Sequence, residues 1–152
     1  MKYEYHKYKL ELVRETTTIS DSEYCGVTAP NHVKDFLVNI CKLDRQPQET
    51  CVLIALNSKG KIIGFTTLSV GDLNSSIMHP REVFKFLITC NACAGVLGHN
   101  HPSEDPIPSN TDIESTKRIV EAGKVIGIEI VDHVIVGDED NYVSLKASGY
   151  IE

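Results

Sequence analysis

No apolar run in this sequence approaches the roughly 20 residues that a helix needs to cross a bilayer. Nor does the chain open on a secretory leader, because Met1 to Arg14 is charged and rich in tyrosine and has no apolar centre. A disulfide framework is missing as well: there are five cysteines, an odd count at no framework spacing, which points to reduced thiols in a cytoplasmic protein. Positive charge is in short supply, with 15 Lys and Arg against 21 Asp and Glu. The resulting net charge of −6 argues against a general polyanion-binding surface, so nucleic acid is not an expected partner. Internal repeats and low-complexity segments are absent too. What is left is 152 residues, 41% of them hydrophobic, the size and composition of one soluble domain with a real core.

Hydrophobic spacing divides the chain into short elements. Tyr3 to Val13 alternates as a strand would, with Tyr8, Leu10 and Leu12 on one face, and Asp21 to Thr28 is a polar connector. Val33, Phe36, Leu37, Ile40 and Cys41 form the stripe of an amphipathic helix with Pro30 in its first turn and its end near Leu43. Asp44 to Gln48 reads as loop. Thr50–Leu56 and Lys61–Val70 are expected strands, joined by the hairpin signal Asn57-Ser58-Lys59-Gly60. After a loop from Gly71 to Met78, Pro80 starts a helix that the pattern carries to about Cys93, with Val83, Phe84, Leu87 and Cys90 facing inward. Ala94–Gly98 is a short buried strand, and Ser109 opens a helix lasting to about Ile126. Ile128–Val136 and Tyr142–Leu145 are further strands around a turn at Asp138–Asn141. A hairpin first and strand–helix–strand units later favour an α/β fold around a mixed sheet over a doubly wound parallel one.

The most informative stretch is Val96 to Asp112, VLGHNHPSEDPIPSNTD. A strand sends residues i and i+2 to one face, so His99 and His101 project together from the end of the expected strand. Two neutral imidazoles side by side suit Zn²⁺, which also accepts a carboxylate oxygen. Pro102, Pro106 and Pro108 stiffen the loop that leads to Ser109 and Asp112. Those two residues also have a plainer reading, a capping box with Asp in place of Glu at the start of a helix. Capping and chemistry are compatible, since Ser109 can cap through a lone pair and contact a water or oxyanion through its proton.

The spacing of His99, His101, Ser109 and Asp112 resembles the JAMM metal motif of the JAB/MPN metallopeptidase-like proteins. Three blocks in order, HPREVFK (His79–Lys85), HNHPS (His99–Ser103) and DHVIVG (Asp132–Gly137), are similar to the bacterial RadC family, and the likeness covers Glu49 to about Gly149. It implies a mixed curved sheet flanked by helices, the JAB/MPN or cytidine-deaminase-like architecture. Residues 1–48 are then an N-terminal strand and helix packed on the core, and residues 49–152 the RadC-like JAB/MPN domain. RadC-family proteins commonly carry a helical DNA-binding-like domain ahead of the metal domain. Only about 48 residues precede it here, so nucleic-acid binding is not expected from the resemblance. One position departs from the family pattern: Glu104 stands where a glycine usually follows His-Asn-His-Pro-Ser, and a positive φ there would strain it.

The resemblance implies zinc held by His99, His101 and Asp112, with the fourth tetrahedral position left to water. Zinc lowers the pKa of that water toward neutrality. It also implies that Glu49 accepts and redelivers the proton, against the plain reading of a solvated carboxylate at a loop–strand junction. Ser109 would bind the oxyanion or position the water. The expected function is amide hydrolysis of a peptide or isopeptide substrate by a JAMM-type zinc metallopeptidase-like enzyme, with no membrane partner and homo-oligomers left open. Two alternatives stay in play, a non-catalytic JAB/MPN-like module that binds a partner and a protein associated with DNA repair. Cys90-x-x-Cys93 lacks a second cysteine pair and is read as core packing rather than a zinc knuckle or redox pair. Asp132-His133 suits either a hydrogen bond to a zinc ligand or a satisfied core position. His79 belongs to the turn before Pro80, and His6 and His32 to the surface.

Overall fold

Thr50–Leu56 is an unbroken apolar run after its first residue, and as strand β1 it is buried on both faces along its whole length. It forms a hairpin with β2 (Ile62–Val70), in which Gly60 takes a φ of 70° and donates its N–H to Asn57 O at 3.0 Å. Three more strands, β3 (Ala94–Asn100), β4 (Glu129–Val136) and β5 (Tyr142–Ser144), complete an open mixed sheet in the order β2-β1-β3-β4-β5. Every neighbouring pair is antiparallel except β3 with β4. This is the computed structural model's account of residues 26–71 and 78–152, with Glu4, His6, Lys7, Lys9, Val13 and Glu15 besides. Most of the expected strand at Tyr3–Val13, of the connector at Asp21–Thr28 and of the loop at Gly71–Met78 lies outside the described residues.

Alternation along β1 feeds two cores. Cys51, Leu53 and Ala55 pack with α2 (Pro80–Thr89) and α3 (Asn110–Ile126). Val52, Ile54 and Leu56 pack on the other face with α1 (Pro30–Asn39). The sheet is thus flanked by helices on both sides, as expected for an α/β fold around a mixed sheet. Among the described residues no helix is long and apolar enough to cross a membrane.

Two helices stop short of the sequence pattern. Helix α1 ends at Asn39, not near Leu43, and Lys42 with a φ of 54° turns the chain into a short 3-10 segment, Leu43–Arg45, where loop was expected. Ile40 and Cys41 still pack on the core that α1 faces, so the apolar stripe outlasts the helix. Helix α2 likewise ends at Thr89, and Asn91 has a φ of 54°. Cys90 then packs against the core, whereas Cys93 is exposed, which corrects the expectation that both thiols are packed.

Two features of the topology position the motif. Antiparallel pairing of β1 with β3, with Cys51 opposite His99, sets the residues before β1 beside the end of β3. Helix α3 crosses between the parallel strands β3 and β4, so its first turn returns over His99. Where β3 passes α1, Gly98 makes room for the buried Leu37, and a Cβ there would lie 2.4 Å from Leu37 Cδ1. Gly98→Ala is therefore expected to lower stability by about 1–3 kcal/mol through overpacking. Thermal unfolding should show Tm several degrees lower, and an unchanged Tm would mean that α1 is not seated on β3 as described.

Candidate metal centre

Glu49, His99, His101 and Asp112 each offer one ligand atom, and these atoms all lie within 4.8 Å of one another. His99 Nε2 and His101 Nε2 are 3.0 Å apart. Glu49 Oε1 is 3.6 Å from the first and 3.7 Å from the second. Asp112 approaches the same two nitrogens through Oδ1 at 3.6 Å and Oδ2 at 3.5 Å. Tetrahedral ligands at about 2.0–2.1 Å from a zinc-sized ion sit roughly 3.3–3.4 Å apart, and the five distances given, from 3.0 to 3.7 Å, lie within a few tenths of an ångström of that. The residues present fit a small divalent metal ion.

Hydrogen bonds decide which lone pairs face the cluster. His101 Nδ1 lies 2.7 Å from Asp105 O, a carbonyl that can only accept, so Nδ1 carries the proton and a neutral His101 turns the lone pair of Nε2 inward. His99 is set by a longer chain. Thr116 Oγ1 donates to Asp112 O at 2.6 Å, and its one proton is thereby used. It must then accept from His133 Nδ1, also at 2.6 Å. His133 Nε2 is left to accept from His99 Nδ1 at 2.7 Å, and His99 Nε2 keeps a lone pair for the cluster. With His101 neutral, two imidazole lone pairs and two carboxylates therefore converge on one point, an arrangement that suits a cation.

Burial holds His99 well below the ordinary histidine value, with His133 and His101 adding to the effect against the pull of Asp112. His133 is pushed down to about 4, chiefly by burial, so both links of the chain are neutral at pH 7. His101 goes the other way, raised by its hydrogen bond to Asp112 against partial burial. For Asp112, burial works to raise the carboxyl, but the His101 hydrogen bond, the nearby His99 and Ser109 hold it well below the usual carboxylate range. Cys51, opposite His99 on β1, stays a thiol: burial first, then Asp112 and Glu49, push it up to about 12.

Ser109 and Asp112 make the capping box that their spacing suggested. Asp112 N–H donates to Ser109 Oγ at 3.1 Å, while Ser109 N–H and Oγ–H donate to Asp112 Oδ2 at 2.8 and 2.6 Å. Asp112 thus serves both roles, Oδ2 accepting in the cap while lying 3.5 Å from His101 Nε2, and Oδ1 facing His99. Ser109 stands one hydrogen bond outside the cluster. Of the Asp132-His133 pair, His133 holds His99, as above. Asp132 faces away and accepts from His133 N, Lys146 N and Ser144 Oγ, tying β4 to the turn after β5. His79 caps α2 by accepting from Arg81 N at 3.0 Å. His6 and His32 are both exposed, as expected, and His32 Nδ1 lies 3.1 Å from Thr28 Oγ1. Thr116 and Asn100 were missed, both buried and both ordinary in sequence; the only signal for Thr116 was its place one turn after Asp112.

The loop between the ligands carries the one departure from the family pattern. Glu104 has a φ of 65°, the left-handed conformation that the usual glycine would adopt without strain. For a residue with a Cβ this costs about 1–2 kcal/mol. The loop is fixed all the same. His101 N–H donates to Val136 O, Glu104 N–H to His101 O, and a Cβ on Gly137 would lie 2.3 Å from Glu104 O.

An open mixed sheet with helices on both faces, carrying a His-x-His pair, a helix-capping Asp and a Glu before the neighbouring strand, is the arrangement of a JAB-type metal domain. The profile of the RadC-like JAB domain matches residues 27–150, and the chain belongs to that family. A UPF0758 protein of Caldanaerobacter subterraneus subsp. tengcongensis is 44% identical over 146 residues, which cover 96% of this chain and 61% of the relative. Another from Bacillus licheniformis is 42% identical over 142 residues, 93% of this chain and 62% of the relative. A third, from Syntrophomonas wolfei, is 56% identical over 99 residues, 65% of this chain and 42% of the relative. The chain thus spans about three fifths of the length of the first two.

Two measurements check the centre. Protein purified without chelator should hold about one metal ion per chain, and His99→Ala, His101→Ala or Asp112→Ala should each remove most of it. Full metal content in Asp112→Ala would reduce that residue to a helix cap. Acid should also release the ion. A raised His101 pKa keeps the competing proton bound to higher pH, so affinity should begin to fall above the ordinary histidine value of 6.5. With one competing proton the loss approaches about tenfold per pH unit. A metal affinity flat from pH 8 to pH 5 would exclude His101 as a ligand.

Proposed function

We propose that the chain is a zinc-dependent hydrolase that cleaves amide bonds, as a peptidase or isopeptidase does. The observation that carries this reading is the convergence, with His101 neutral, of four acceptors, two of them imidazole nitrogens whose tautomers suit ligation. Neutral imidazole and carboxylate form a donor set that suits zinc. Zinc bound there would supply Lewis acidity and lower the pKa of a water toward neutrality. In this reading His99, His101 and Asp112 hold the ion, and Glu49 accepts a proton and returns it to the leaving nitrogen. Of the two carboxylates Glu49 is the one open to solvent, with its side chain 24% exposed against 5% for Asp112. Ser109 donates to the developing oxyanion once its hydroxyl turns from Asp112.

One observation favours the second reading, a JAB-like module that binds a partner without catalysis: the Ser109 proton is engaged on Asp112 Oδ2 at 2.6 Å. The net charge of −6 supports neither reading as a DNA-binding one. The activity, substrates and partners of the longer relatives' counterpart to this chain belong to the same proposal.

Glu49→Gln separates the two readings. The variant should keep its metal while hydrolysis of a quenched peptide and isopeptide library falls by about 10²-fold. Loss of metal together with activity would make Glu49 a ligand. A wild-type protein that is loaded with zinc and inert across the library would favour the partner-binding module.

A further inference from the structure

Glu49 precedes β1 and so lies outside the strand, yet its carboxylate meets the two histidines. We propose that Asn100, the residue between those histidines, is the positioning residue for Glu49; the inference rests on the reading of Glu49 as proton acceptor. Asn100 is 1% exposed, and alternation along β3 turns it to the face opposite His99. Its Oδ1 accepts from Thr50 N at 2.8 Å, and its Nδ2 donates to Gln46 O and Gln48 O, each at 3.3 Å. A backbone N–H on one side and two carbonyls on the other leave the amide a single orientation.

The backbone pairing of β1 with β3 ends at Cys51 and His99. One residue further on, the Asn100 side chain takes over the role of the ladder. It pins the carbonyl before Glu49 and the N–H after it, while the Glu49 carbonyl accepts from Gly71 N at 2.8 Å. Glu49 lies two residues before Cys51 and shares the face that Cys51 and His99 occupy. With the peptide groups on both sides fixed, its carboxylate can only emerge toward the histidines. One side chain on the ligand strand thereby sets the distance between the ligands and the carboxylate opposite them. Asparagine alone supplies an acceptor and a two-hydrogen donor at this reach. Aspartate would turn lone pairs toward two carbonyls, and leucine would match only the shape.

The test uses the full chain loaded with cobalt(II), whose visible spectrum reports the ion's surroundings through a pH midpoint. Glu49→Gln should shift that midpoint. Asn100→Ala and Asn100→Leu should keep cobalt stoichiometry and lose less than the roughly tenfold in affinity that follows removal of a ligand's hydrogen-bond partner. Both should move the midpoint in the direction of Glu49→Gln, and Asn100→Ala combined with Glu49→Gln should move it no further than Glu49→Gln alone. Asn100→Leu matches the shape without adding a charge, so the test survives if the alanine variant does not fold. If Glu49→Gln shifts the midpoint and both Asn100 variants titrate as the wild type, or if the two changes add, Asn100 only supports the fold and the inference is overturned. If Glu49→Gln leaves the midpoint in place, the reading of Glu49 falls and the inference falls with it.

Discussion

Four atoms that carry lone pairs repel one another when held on one point, and most of the structure around this cluster acts to hold them there. The β1–β3 register brings Glu49 to His99 from 50 positions away in sequence, and the first turn of α3 lowers Asp112 onto both histidines. The N-terminal end of α3 also offsets the cost of a nearly buried carboxylate, because partial positive charge gathers where backbone N–H groups lack helical partners. Each element contributes one ligand atom or one constraint on a ligand's orientation. The sum is a concentration of lone pairs whose repulsion a divalent cation would relieve.

Local spacing was legible in the sequence and distant pairing was not. His99, His101, Ser109 and Asp112 fall within fourteen residues, and a strand end, a proline-stiffened loop and a capping box each have a signature at that range. The strands were legible for a similar reason: apolar runs such as Thr50–Leu56 are buried on both faces and admit few other readings. The helix ends were not, because Lys42 and Asn91 take left-handed conformations that only glycine announces, and because Ile40 and Cys41 continue the stripe beyond the helix. Glu49 was singled out by family resemblance alone, since its place depends on a strand register that no local pattern encodes. Thr116 and Asn100 depend on strand pairing and helix placement, and residues of these types are common in any chain, whereas the hydrogen bond of His133 to His99 was one of the two readings left open for Asp132-His133.

The loop from His101 to Ser109 shows how much distortion such a site tolerates. Glu104 is held in a conformation disfavoured for any residue with a side chain, beneath it Gly137 leaves no room for a Cβ, and the histidine tautomer is nonetheless fixed by Asp105 O. The rigidity comes from backbone contacts on both sides of the loop rather than from the identity of residue 104.

The chain of hydrogen bonds behind His99 has an end, and that end is informative. It runs from His99 through His133 and Thr116 to Asp112 O, a main-chain carbonyl with no proton of its own to pass on. It returns to the very residue whose carboxylate faces His99, so it closes on itself inside the domain. The interior is a dead end for protons. Solvent meets the cluster at Glu49 and His101, whose side chains are 24% and 15% exposed, so a proton that arrives or leaves has its route on that side.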